Sequence, residues 1–140
     1  MQLYPNLTFD GQCEAAFQFY ERCLGGKVTF LMTYENTAAE LHAPPGWGMK
    51  VSHATFALDR FLLSGSDALP GSYRKPQGFT LQLNLSDPEE AERIFHALAE
   101  NGAIEVPLQE TFWARRFGVL VDAFGIPWLI NCEQPAGANH

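Results

Sequence analysis

Residues 7–26, LTFDGQCEAAFQFYERCLGG, are echoed 76 positions later by residues 83–102, LNLSDPEEAERIFHALAENG. At that shift Leu7, Glu14, Ala15, Phe19, Gly26 and Val28 fall on Leu83, Glu90, Ala91, Phe95, Gly102 and Ile104. Farther along, a shift of 63 sets Leu58-Asp59-Arg60-Phe61 on Val121-Asp122-Ala123-Phe124, so the first copy holds about 13 additional residues in its middle. Such a repeat decides the architecture before any motif does. Each copy has room for one helix and several strands, too little for a core of its own. The chain therefore reads as one domain, 1–140, built of two modules, 1–68 and 79–134, with an insertion at 35–50.

Working outward, Leu3, Pro5, Leu7 and Phe9 alternate with Tyr4, Asn6 and Thr8, the period of a half-buried strand over residues 2–9. Asp10-Gly11 ends it. From Gln12 to Leu24, the side chains Cys13, Ala16, Phe17, Tyr20 and Leu24 share one helical face, widened by Ala15 and Phe19, and Gly25-Gly26 stops the helix. Residues 27–35, 51–59 and 60–64 predict three strands; the turn-rich insertion with Pro44-Pro45-Gly46 interrupts them, and 66–78 connects the copies. The second copy opens with Phe79, Leu81, Leu83 and Leu85 alternating with Thr80, Gln82 and Asn84. Its helix is capped by Asp87, has Pro88 at the first position and Glu89 and Glu90 at the positive end of the dipole, buries Ala91, Ile94, Phe95 and Leu98, and closes at Asn101-Gly102. Strands follow at 103–108, 113–121 and 126–131. The class is α+β: two βαβββ modules whose aliphatic strand sides pack on helices, with Tyr4, Asn6, Thr8, Thr80, Gln82 and Asn84 on the other side.

Nine basic against sixteen acidic residues, a formal net charge of -7, argue against nucleic acid and anionic lipid as partners. No apolar run approaches the ~20 residues of a membrane span, and Met-Gln-Leu-Tyr-Pro lacks the character of a leader, so a cytoplasmic location is expected. Cys13, Cys23 and Cys132 have no metal or disulfide spacing and read as buried free thiols.

Phe19-Tyr20 before Leu24-Gly25-Gly26, and Asp122-Ala123-Phe124-Gly125-Ile126-Pro127-Trp128 near the end, resemble the vicinal oxygen chelate superfamily of glyoxalase I, extradiol dioxygenases and bleomycin-resistance proteins. Pro107-Leu108-Gln109-Glu110-Thr111-Phe112-Trp113, with Phe117-Gly118 and Trp128-Leu129-Ile130-Asn131, resembles its PhnB-like branch, often labelled a 3-demethylubiquinone 3-methyltransferase domain. The resemblance implies a glyoxalase-like fold, in which two modules form a paired, partly open curved sheet with helices outside, and it implies a homodimer. Where metal-dependent relatives hold their ion, this chain has Asn6 or its neighbour Pro5, Leu62 to Ser64, Thr80 or Gln82, and Leu129. None is His or Glu, so neither a metal nor a cofactor is expected. The label meets a similar obstacle, since a methyl-donor nucleotide site of the usual kind needs a glycine-rich turn that opens a helix, and Gly25-Gly26 closes one.

The candidate catalytic base is His53, on the third strand of module one, with Arg116 at the equivalent place in module two. Such a pair suits a small polar or anionic ligand. Alternatively, His53 bonds a neighbouring backbone group and Arg116 pairs with Asp122 or Glu110. Phe112, Trp113, Phe117 and Trp128 surround Gln109 and Asn131 as an aromatic patch, a pocket wall or core. The ligand-binding set is Asn6, Gln82, Gln109, Trp113, Arg116 and Asn131. Trp47 and Tyr73 fold over the cleft mouth or belong to a dimer contact. The competing functions are a metal-dependent lyase or dioxygenase using His53 and Gln82, and a sequestering protein of the bleomycin-resistance type.

Overall fold

Pro5 has no N–H to give a ladder, and the first strand begins just after it. In the computed structural model, which describes residues 1–35 and 37–134, the elements are β1 (Asn6–Phe9), α1 (Cys13–Leu24), β2 (Lys27–Thr33), β3 (Val51–Leu58) and β4 (Phe61–Asp67), then β5 (Leu81–Leu85), α2 (Pro88–Leu98), β6 (Ala103–Gln109), β7 (Ala114–Val121) and β8 (Pro127–Glu133). The chain divides between Arg74 and Lys75 into two compact units. Each holds one βαβββ module, and the α+β fold is the glyoxalase-like one. The sheets have the orders β1-β4-β3-β2 and β5-β8-β7-β6, in which the first strand of each module runs parallel to the last and the other neighbours are antiparallel.

Two sequence expectations are corrected at the strand starts. Leu3 is 99% exposed and precedes β1, so it packs on no helix, and Phe79 and Thr80 precede β5. Residues 35–50 do form an excursion, with short 3-10 helices at Ala38–His42 and Trp47–Met49. It is pinned at both ends. Tyr34 donates to the Asp67 carbonyl at 2.8 Å, and Lys50 Nζ donates to the Gly11 carbonyl at 2.8 Å while lying 5.8 Å from the Trp47 ring centre. Trp47 accordingly sits beside Gly11, at the turn between β1 and α1.

The 76-residue repeat has a physical cause at Gly26 and Gly102. A Cβ on Gly26 would lie 2.4 Å from the Ala57 carbonyl oxygen, and one on Gly102 would lie 2.3 Å from that of Val121. Both strands leaving their helices therefore press against the third strand of their own sheet at the same place. Inside the helices the shift changes. The buried residues Cys13, Ala16, Phe17 and Tyr20 correspond in spacing to Ala91, Ile94, Phe95 and Leu98 at an offset of 78, while Ala15 is exposed and Phe19 half-buried. The matches of Ala15 with Ala91 and Phe19 with Phe95 thus do not mark equivalent faces.

Helix ends follow local chemistry. The Asp87 carboxylate accepts from Glu89 N–H at 3.1 Å with Pro88 in the first turn, and Gly25 closes α1 at φ 84°. After α2 the left-handed residue is Asn101 (φ 59°), leaving Gly102 its steric role alone. One buried carboxylate ties each module. Asp67 accepts from Cys13 N–H (2.8 Å) and Val51 N–H (2.9 Å); Asp122 accepts from Phe124 N–H, Ile126 N–H and Trp128 Nε1. The three cysteines are free and buried, as their spacing suggests. Burial foremost, then the nearby Asp67 and Glu14 carboxylates, pushes the Cys13 thiol up to about 12. Among the described residues no helix is long and apolar enough to cross a membrane.

Candidate functional site

Away from the bulges in β2, β6 and β7, strand alternation sorts side chains onto a helix-facing or an open side. In the second unit a Cβ on Gly118 would meet the Phe95 ring at 2.7 Å, which marks the α2 side, and the buried Leu120, Trp128, Ile130 and Cys132 share it. The opposite, open side carries two rows across the sheet. Register pairs Asn84 with Asn131, Asn131 with Phe117 and Phe117 with Gln109; beside it run Gln82, Leu129, Val119 and Val106. Asn84 is the hub. Its Oδ1 accepts from Gln82 Nε2 at 2.9 Å and from Asn131 Nδ2 at 3.2 Å. Trp113 lies edge-on to Phe117 with ring centres 5.5 Å apart, and Phe112 edge-on to Trp113 at 4.7 Å; Phe112 is 88% and Trp113 46% exposed.

Of the residues predicted from sequence, Gln82, Gln109, Trp113 and Asn131 are therefore gathered on one face. Asn84, absent from that set, joins them, and its alternation with Gln82 was the available signal. Trp128 does not belong to the aromatic group: it is 2% exposed, faces α2 and donates to Asp122. Arg116 also departs from expectation. Paired with Cys132 in register, it faces α2, where its Nε donates to Glu92 at 2.9 Å, and neither Asp122 nor Glu110 is its hydrogen-bond partner. That bond, first of all, holds the guanidinium firmly protonated.

In the first unit a Cβ on Gly65 would meet Phe17 at 2.8 Å, so Leu7, Ala54 and Gly65 face α1. The open side carries the row Asn6, Ser64, Thr55 and Phe30, with Ser64 Oγ donating to Asn6 Oδ1 at 2.6 Å. His53 is exposed on this side, opposite Met32, with its ring centre 5.9 Å from that of Phe30. The register corrects its counterpart. Asn6-Ser64-Thr55 matches Gln82-Leu129-Val119, so two positions before Thr55, His53 matches Phe117 and not Arg116. The shift of 63 matches the two turns by residue type, whereas register sets Thr55 on Val119, a shift of 64, and Ser64 on Leu129, a shift of 65.

Metal ligation finds little here. The places to which the family resemblance points, Asn6 with Ser64 and Gln82 with Leu129, are register partners on the open sides. They offer two amides, a hydroxyl and a hydrocarbon, and among the described residues no three His, Cys, Asp or Glu side chains gather. This donor set does not fit a transition metal. Of the other histidines, His42 lies in a 3-10 helix and His96 on α2, while His140 is outside the described residues.

The family model described as 3-demethylubiquinone-9 3-methyltransferase matches residues 1–131. The chain belongs to this family. It is 36% identical to Protein YjdN of Escherichia coli (strain K12) over 96% of this chain and 99% of that one. Protein PA1353 from Pseudomonas aeruginosa has 38% identity and a TM-score of 0.86, covering 96% of this chain and 99% of that one. A putative 3-demethylubiquinone-9 3-methyltransferase, PhnB protein, from Bacillus cereus has 26% identity and a TM-score of 0.81, covering 94% and 99%. A glyoxylase/bleomycin resistance protein/dioxygenase domain from Frankia sp. EAN1pec shares the fold, at 15% identity and TM-score 0.64 over 96% of this chain and 98% of that one. The activity in the family's description calls for a methyl donor, and the glycines here do not suit the usual nucleotide-binding turn. Gly25 ends a helix in the left-handed conformation and Gly26 is pressed against a carbonyl.

Proposed function

We propose that this PhnB-like, glyoxalase-fold chain is a metal-independent receptor for a small polar molecule, with Gln82, Asn84, Asn131, Gln109 and Trp113 as the contacts on the open side of the second unit and Asn6 as a contact on that of the first. The observation that carries this reading is the amide cluster centred on Asn84 Oδ1 beside the Trp113 and Phe117 rings. An apolar wall with a few converging polar groups is what small-ligand sites are made of. Binding is favoured over turnover because the cluster itself consists of amides and rings. If the ligand is transformed, His53 is the group to do it. The two modules act as one domain, and the protein pairs as a homodimer in the cytoplasm.

Elemental analysis of protein purified without chelator tests the metal-independent part: zinc, iron, manganese and nickel are expected far below one equivalent, and one equivalent surviving dialysis would overturn it. Native mass spectrometry of the same preparation tests the receptor. A co-purifying small molecule is expected in the parent protein and lost in Asn131→Ala; retention in that variant would sink the assignment of contacts. Incubation of the recovered molecule with parent and His53→Ala protein separates storage from chemistry, since storage returns it unchanged.

A further inference from the structure

We propose that the Asn101-Gly102 junction between α2 and β6 is a self-modification site, closed while its turn is folded and open to succinimide chemistry when it is not. Two separate demands of the fold create it. Helix α2 ends through a residue in the left-handed region, Asn101 at φ 59°, a conformation that asparagine tolerates better than most side chains. The next position must be glycine, because a Cβ there would lie 2.3 Å from the Val121 carbonyl oxygen and 2.9 and 3.0 Å from the Asp122 carbonyl carbon and Cα. Together they set a side-chain amide beside the residue type that shields the following peptide nitrogen least. The first module meets the same demands differently. Gly25 at φ 84° and Gly26, pressed against the Ala57 carbonyl, leave no amide at the matching place.

The chemistry needs only water. The Gly102 nitrogen gives up its proton and attacks Asn101 Cγ; the new N–Cγ bond closes a succinimide ring, and the Cγ–Nδ2 bond breaks as ammonia leaves. Water then opens the ring at Cγ, giving aspartate, or at the Asn101 backbone carbonyl, giving isoaspartate, in which the chain runs through Cγ. In the folded turn this route is blocked. Gly102 N–H is donated to the Ala99 carbonyl at 2.9 Å, so the proton that must leave is engaged. Both flanks of the junction are fixed as well, Ala99 N–H on the Phe95 carbonyl at 3.0 Å and Ala103 in register with Val121. Because Asn101 and Gly102 are exposed, water and base reach the junction as soon as the turn frays. Aspartate can keep the left-handed conformation, whereas isoaspartate lengthens the backbone and displaces Gly102 from its contact with Val121.

Full-length protein incubated at mildly alkaline pH, folded in one sample and unfolded in guanidinium chloride in the other, makes the test, with peptide mapping to follow each asparagine. Conversion at Asn101 is expected to run at least about tenfold faster in the unfolded sample. Over the same period Asn84, followed by Leu85, and Asn131, followed by Cys132, should remain amides in both samples, because those side chains crowd the attacking nitrogen. Gly25→Asn, at a position with φ 84° where a Cβ meets nothing within 4 Å, should fold and acquire a second site with the same dependence on unfolding. After refolding, the isoaspartate form should unfold at lower denaturant than the aspartate form. Equal rates at Asn101 in the folded and unfolded samples overturn the gating by the turn. Lack of conversion at Asn101 when unfolded, or conversion at Asn84 and Asn131 as fast as there, overturns the site itself. Coincident midpoints of the two refolded forms overturn the displacement of Gly102.

Discussion

Replacing Asp122 by Asn exchanges one oxygen for an N–H₂ group in a site where three donors converge on a carboxylate. Phe124 N–H and Ile126 N–H reach Oδ1 at 2.9 and 3.0 Å, and Trp128 Nε1 reaches Oδ2 at 2.9 Å; the residue is 3% exposed and Trp128 2%. If the new amide keeps its oxygen on the two backbone groups, its N–H₂ faces the indole N–H. If it flips, the backbone donors are opposed instead. Leaving a buried donor unmade costs about 1–3 kcal/mol, and the bonds that survive lose their charge assistance, a further kcal/mol or so. The expected loss is about 2–4 kcal/mol, read from urea titrations followed by far-UV circular dichroism. Trp128→Phe removes the indole donor as well as some packing. In the double variant the opposed donors are gone, so the two changes should be less than additive by about 1–2 kcal/mol. Full additivity would refute the view that the Trp128 bond to Asp122 anchors the β7–β8 hairpin, as would an Asp122→Asn variant within about 0.5 kcal/mol of the parent.

Gly26→Ala and Gly102→Ala force a methyl against backbone carbonyls at 2.4 and 2.3 Å, so each should lose about 1–3 kcal/mol in urea titrations, and an innocuous alanine at either place would remove the steric account of the repeat. Cys13, held protonated to about 12 against an ordinary 9.0, stabilises fully below pH 9 and progressively less as pH climbs toward 12. Between pH 8 and pH 10 the parent should therefore lose about 1 kcal/mol more than Cys13→Ala, and parallel stability curves would contradict the burial of that thiol. If two modules of this size cannot stand alone, calorimetry should show one cooperative transition, with Gly26→Ala and Asp122→Asn lowering the same midpoint; two resolved transitions would count against a single domain.

The sequence was legible where one local rule acted alone. Asp87-Pro88 and Gly25 start and stop helices through their own backbone geometry, and every strand after β1 lies within a few residues of its predicted place. Legibility failed where tertiary register intervened. Arg116 and His53 were equated by a shift of 63 that matches the turns, but register sets Thr55 on Val119, a shift of 64, and in a strand one residue is the difference between faces. Trp128 misled for another reason. An aromatic three residues before Asn131 looked like part of a ligand wall, yet its place in β8 turns it inward, and Asp122, weighed from sequence as a partner for Arg116, proves to be its partner. Asn84 was hidden for the opposite reason. Alternation placed it on the open side, but only the folded register, setting Asn131 across from it, turns an ordinary polar strand position into the acceptor for two other amides. A change at Asn84 should thus act on ligand binding and a change at Asp122 on stability.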